Sequence, residues 1–178
     1  FEIKDLGEAT YYLGMDIVRD RASRTLVLSQ KRYAREIVEK FGLSDAKIKS
    51  VPLSSTTKLT KDCGSAQDPD VSRFSELVGG LLYLSVCTRP DISQAVGALS
   101  RYMSCPTSAH YQAAKGVLRY VLGTADYGIR YGVGVVDLLG YCDSDYAGDI
   151  DTRRSTTGYV YMLNGGTYPM QPDALRRS

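Results

Sequence analysis

"VSRFSELVGGLLYLSVCTRPDISQAVGALSRYMSCPTSAHYQAAKGVLRYVL" fills residues Val71–Leu122, and its period decides the fold class. Phe74, Leu77, Val78, Leu81 and Leu82 recur at helical spacing and predict a first helix over about Val71 to Val86. Pro90 suits the first turn of a new helix, and Asp91 favours the same positive end. Ile92, Val96, Leu99 and Met103 carry that second helix to about Met103. Pro106 interrupts again. Tyr111, Ala114, Leu118 and Val121 then predict a third helix from Ser108 to Leu122, stopped by Gly123. Short connections favour an up-down arrangement, with the apolar stripes as packed core.

On the N-terminal side the period changes. "ATYYLGMDIVRDRASRTLVLS" alternates in polarity and is rich in strand formers, so a β-hairpin is expected over Tyr11–Arg19 and Thr25–Leu28. Ser29 suits a helix N-cap. Tyr33, Ile37 and Phe41, with Val38, line one face of the helix that follows, and Gly42 ends it. Lys31, Arg32, Arg35 and Lys40 take the opposite face, which is either solvated or placed to meet phosphates. Residues 44–70 are rich in Ser, Thr, Lys, Asp and Pro, and are expected to be a long surface connection.

On the C-terminal side "YGIRYGV", "VDLLGYCD" and "STTGYVYML" read as successive short strands of an antiparallel meander. The fold class expected is therefore α+β: an N-terminal hairpin and helix, a central bundle of about three helices, and a C-terminal partial antiparallel sheet. The second of these strands ends in acids. Asp143 and Asp145 are two apart, hence on one side of a strand, with Asp149 and Asp151 close behind. Carboxylates that close repel, so solvent or a hard divalent ion such as Mg²⁺ should offset them.

Composition narrows the functional classes. With 22 basic and 20 acidic residues the formal net charge is +2, which neither demands nor excludes nucleic acid. No apolar run approaches the roughly 20 residues of a membrane helix. Cys63, Cys87, Cys105 and Cys142 form no CxxC pair, so zinc and redox readings lack support, and free thiols are expected. His110 is the sole histidine, which weakens any His-dependent triad. There is no signal peptide and no Arg-x-Leu-Arg motif, and an intracellular setting, cytoplasm or nucleus, is expected. The chain opens on Phe1 rather than Met, which implies a piece of something longer.

Several long motifs stand in one order: "YYLGMDI", "LVLSQKRYAREIVEKFGL", "TRPDI", "LRYVLGT", "DSDYAGD" and "RRSTTGY". Together they resemble the Pol polyprotein of copia-type retrotransposons, from just after the polymerase active-site strand of reverse transcriptase to the first hairpin of ribonuclease H. The likeness spans nearly everything from Phe1 to Gly166. It implies a thumb-like and primer-grip-like part at 1–60, a helical connection at 61–126, an incomplete ribonuclease H-like sheet at 127–166 and a divergent tail at 167–178.

The resemblance also implies roles. Asp143, in the pattern Tyr141 to Asp143, matches the first catalytic carboxylate of ribonuclease H, with Asp145 a weaker second ligand for Mg²⁺. Tyr12, Gly14 and Met15 stand where the primer grip would be; simple sheet packing is the alternative. Lys31, Arg32 and Arg35 stand where a thumb would touch a primer-template or an RNA–DNA hybrid. A polymerase needs an upstream Asp pair, and a ribonuclease H needs a downstream Glu helix, and neither is present in this sequence. After about Thr167 the chain reads "YPMQPDALRRS" and leaves the family pattern. The expectation is thus an inactive fragment. The alternatives are a non-catalytic binding module, its protein partner unknown, and a pseudogene product.

Overall fold

The computed structural model describes residues 3–4, 7–54, 56–61, 70–132, 138–144, 148–153 and 155–163. Along them run β1 (Tyr11–Tyr12), β2 (Met15–Asp20), β3 (Thr25–Ser29), α1 (Lys31–Lys40), α2 (Val71–Cys87), a 3-10 turn (Pro90–Ile92), α3 (Ser93–Ser100), α4 (Ser108–Gly123), β4 (Gly128–Tyr131), β5 (Leu138–Ser144) and β6 (Thr157–Leu163). The architecture is α+β, with four α-helices and two antiparallel sheets among the described residues.

Asp70 starts the helical core: its carboxylate accepts from the N–H groups of Ser72 and Arg73 at 2.9 and 3.3 Å, filling donors that a helix start leaves open. Phe74, Leu77, Val78, Leu81 and Leu84 of α2 are buried. Leu82, expected in this stripe, lies at its edge and is 46% exposed, while Leu84 takes the inner place. Ile92, Val96 and Leu99, then Ala114, Val117, Leu118 and Val121 of α4, close the core. Each such large apolar side chain contributes about 1.5–3 kcal/mol by leaving water. The expected second helix is shorter than its periodicity suggested: a 3-10 turn precedes α3, which ends at Ser100, before a turn at Tyr102 and Met103.

The bundle has a fourth member. Ala34, Ile37 and Val38 of α1 are buried in the same core. Gly80 allows that approach, because a Cβ there would overlap the Ile37 side chain. Ser29 is not the N-cap of α1. It closes β3, and Gln30 takes the cap position without a side-chain capping bond, its own side chain being buried elsewhere.

The first sheet has the order β1-β2-β3-β4. The expected strand Tyr11–Arg19 is split by a two-residue turn at Leu13 and Gly14, both at positive φ (47° and 73°), the primed geometry that matches strand twist. At the next turn the Asp20 carboxylate accepts from the N–H groups of Ala22 and Ser23. The C-terminal meander is corrected here. β4 pairs with β3, Ser29 opposite Gly128, and joins the N-terminal sheet, while β5 and β6 form a separate hairpin. The 44–70 connection has neither helix nor strand among its described residues, but it is pinned to α4. Arg119 donates to the Lys47 carbonyl, and the Lys49 N–H donates to the Arg119 carbonyl. The tail at 167–178, Cys63, Asp145 and Arg154 lie outside the described residues.

Candidate functional site

The helical motifs "TRPDI" and "LRYVLGT" lock together. Arg89, from "TRPDI", and Asp91 form a buried ion pair at 2.8 Å, with side chains 2% and 1% exposed. The Arg89 guanidinium also donates to the Thr124 carbonyl at 2.9 Å and to its hydroxyl at 2.6 Å. It lies 5.6 Å from the Tyr120 ring centroid and 5.5 Å from that of Tyr127. The Tyr120 hydroxyl donates to Asp91 at 2.9 Å. Burial, then the Asp91 carboxylate, push the Tyr120 phenol well above its ordinary range, so it stays a donor. Nearby, the Thr88 hydroxyl donates to the buried Gln30 side chain at 2.8 Å. These contacts close α2 onto α4 and α1. Sequence reasoning read Asp91 only as helix punctuation and missed Arg89, Tyr120 and Thr124. The available signal was polar residues inside otherwise apolar helical motifs.

The primer-grip-like residues sit at one end of the first sheet. Tyr12 is exposed on β1 and pairs opposite half-buried Met15. Gly14 occupies the turn, where a Cβ would come within 2.5 Å of the Tyr83 hydroxyl. That hydroxyl donates to the Leu13 carbonyl at 2.6 Å and pins the tip to α2. Tyr33 packs edge-on against the Tyr83 ring, centroids 5.0 Å apart. Arg32 reaches the sheet: it donates to Asp16 at 2.7 Å and covers the Tyr11 ring at 4.7 Å. Lys31 pairs with Asp126, and Arg35 reaches the same carboxylate at 3.6 Å. The Lys31 hydrogen bond holds Asp126 below the usual carboxylate range. Three cations therefore face two carboxylates, and this basic face is largely neutralised within the chain.

The acids near the end of β5 and in the loop that follows separate into two kinds. Asp143 is the penultimate residue of β5, opposite Gly158 and exposed, and its carboxylate accepts from the Ser144 N–H at 2.9 Å. Asp149 and Asp151 turn the other way. Asp149 accepts from the N–H groups of Asp151 and Thr152 and from the Thr152 hydroxyl, and pairs with Arg101 at 3.3 Å. The Thr152 hydroxyl, more than the backbone N–H groups and Arg101, holds its carboxyl below the usual range. Asp151 accepts from the Lys61 N–H at 2.9 and 3.0 Å and from the Tyr102 hydroxyl at 3.0 Å. Burial, then Asp151, push the Tyr102 phenol up to about 12. For Asp149 and Asp151, N–H and O–H donors thus supply the offset that their crowding called for. Among the described residues no three His, Cys, Asp or Glu side chains gather into a set able to hold a metal ion. Of the described acids in this stretch, Asp143 is the one not held by donors from elsewhere in the fold, and a single carboxylate leaves most of a hard ion's coordination to water.

No helix among the described residues is long and apolar enough to cross a membrane. No family model matches the chain, and no solved structure matches it. Similar proteins are nevertheless plain. The retrovirus-related Pol polyprotein from transposon TNT 1-94 of Nicotiana tabacum is 43% identical over 176 residues, 96% of this chain and 13% of that polyprotein. The Pol polyprotein from transposon RE2 of Arabidopsis thaliana is 39% identical over 171 residues, 96% of this chain and 11% of its own length. An uncharacterized mitochondrial protein of Arabidopsis thaliana is 42% identical over 164 residues, which is 92% of this chain and 66% of that protein. The chain spans about an eighth or less of the Pol polyproteins it matches. It belongs to the Pol polyproteins of copia-type retrotransposons, as a segment of that much longer chain.

Proposed function

We propose that this segment is the primer-grip, thumb and connecting part of a reverse transcriptase, running into the opening hairpin of a ribonuclease H domain. The whole polyprotein would copy RNA into DNA and hydrolyse the RNA strand of the hybrid. The segment itself is a scaffold that presents a hairpin and a weakly basic helix to nucleic acid and performs neither reaction. The observation that carries this reading is the fate of the acids. Asp149 and Asp151 are engaged by backbone and side-chain donors from elsewhere in the fold, whereas Asp143 is exposed and accepts from the neighbouring Ser144 N–H. A two-metal hydrolysis needs clustered acids to seat both ions, so Mg²⁺ held through Asp143 and Asp145 would be weak.

Contact with a primer-template or an RNA–DNA hybrid would come through Tyr12, Gly14 and Met15 at the hairpin, and through Lys31, Arg32 and Arg35. Because Asp16 and Asp126 already pair with those cations, nucleic acid must compete with internal ion pairs. Titration of the purified chain with an RNA–DNA hybrid at low and moderate salt tests this. Weak binding that fades as salt rises is expected. Tight binding indifferent to salt, or none at the lowest salt, would overturn it.

A further inference from the structure

The β5–β6 hairpin is apolar on both sides yet exposed on both. Leu139, Tyr141 and Val160 face one way, and Leu138, Tyr159, Tyr161 and Leu163 the other. A two-stranded hairpin is marginal in water without packing. Among the described residues, the loop between its strands ties it to the helical core. In that loop Asp149 folds the backbone around its own carboxylate and pairs with Arg101. Asp151 reaches a cradle formed by the Lys61 N–H and the Tyr102 hydroxyl.

The cradle is held from behind by the core. Tyr102 is 6% exposed, and its ring stacks on His110 with centroids 4.0 Å apart and planes 18° from parallel. His110 is itself fixed, Nδ1 accepting from the Thr107 N–H at 2.9 Å at the start of α4. The Tyr102 hydroxyl shares its one proton between the Leu59 carbonyl at 2.9 Å and the Asp151 carboxylate at 3.0 Å. One side chain thus gathers the 44–70 connection, the end of α3, the start of α4 and the acidic loop.

We propose that Asp151 and Tyr102 form an intramolecular latch that fixes where the β5–β6 hairpin, and so Asp143, stands relative to the helical core. Asp151 is then a positioning residue, not a metal ligand. Charge-assisted bonds of this kind are stronger than neutral ones, and the latch acts whether or not the chain meets nucleic acid.

Spin labels test it in the full chain. A background with Cys63→Ser, Cys87→Ser and Cys105→Ser leaves Cys142 on β5 for one label, and Gln112→Cys on the exposed side of α4 takes the other. A single narrow distance distribution is expected with the latch intact. Asp151→Ala and Tyr102→Phe should each broaden it, and amide exchange across 138–144 and 157–163 should quicken about tenfold. Exchange in Leu77–Leu84 should stay unchanged. Tyr102→Phe keeps the ring stack on His110, so it guards against a merely unfolded Asp151→Ala chain. A distribution equally narrow in both variants, or already broad with the latch intact, would overturn the latch.

Discussion

Arg89 and Asp91 show how a short motif can hold a molecule together from inside. Removing one member of a buried ion pair leaves the other uncompensated, at about 3–5 kcal/mol. Asp91→Ala should therefore lower the urea midpoint steeply, by far more than loss of the exposed Glu8–Arg21 pair, worth about 0–1 kcal/mol. Equal losses for the two would show that the pair is not buried in solution. His110 gives a pH signature. Burial lowers its pKa from the ordinary 6.5, against an opposing pull from Asp151. The unfolded chain then binds the proton more readily, so stability should be full above about pH 7 and fall as pH drops through about 6.5. Urea unfolding across that window should show the fall, and His110→Gln should flatten it. At this scale the sequence was only half legible. The acids near Asp143 plainly needed an offset, but Asp151 finds it 90 residues away at Lys61 and 49 away at Tyr102, separations that no local spacing encodes.

At the scale of elements, local signals sufficed where neighbours only had to agree with them. The apolar period gave α2 and α4 to within a residue of their ends, Val71–Cys87 and Ser108–Gly123. The partner of β4 was not legible, because "GIRY" carries no mark of which strand it will meet. Its pairing with β3 follows from α4 returning the chain beside the first sheet. The turn at Leu13 and Gly14 was missed because leucine is not the residue that primed turns prefer. That turn is testable. Gly14→Ala must hold a left-handed conformation at about 1–2 kcal/mol and meets the Tyr83 hydroxyl. Tyr83→Phe relieves the crowding but gives up a hydrogen bond worth about 1 kcal/mol. Because the two share one contact, the double variant should lose less than the sum of the singles in a denaturant double-mutant cycle. Strict additivity would show that Tyr83 does not pin the hairpin tip.

For the whole molecule, the resemblance in "TRPDI", "LRYVLGT" and "DSDYAGD" led to the right family, and the structure explains the first two motifs as a buried interlock rather than as chemistry. The third divides: its opening Asp143 is exposed, and the closing Asp149 shapes the loop that carries the latch. On the proposed reading a segment so arranged supplies shape to a larger enzyme, and among the described residues no carboxylates cluster into a set able to hold a metal ion. The most direct measurement incubates the purified 178-residue chain with a labelled RNA–DNA hybrid in Mg²⁺ or Mn²⁺ and follows the RNA strand. The RNA should stay intact at every time point. Cleavage that persists through purification and disappears in Asp143→Asn would contradict the scaffold reading and place a working metal site at the end of β5.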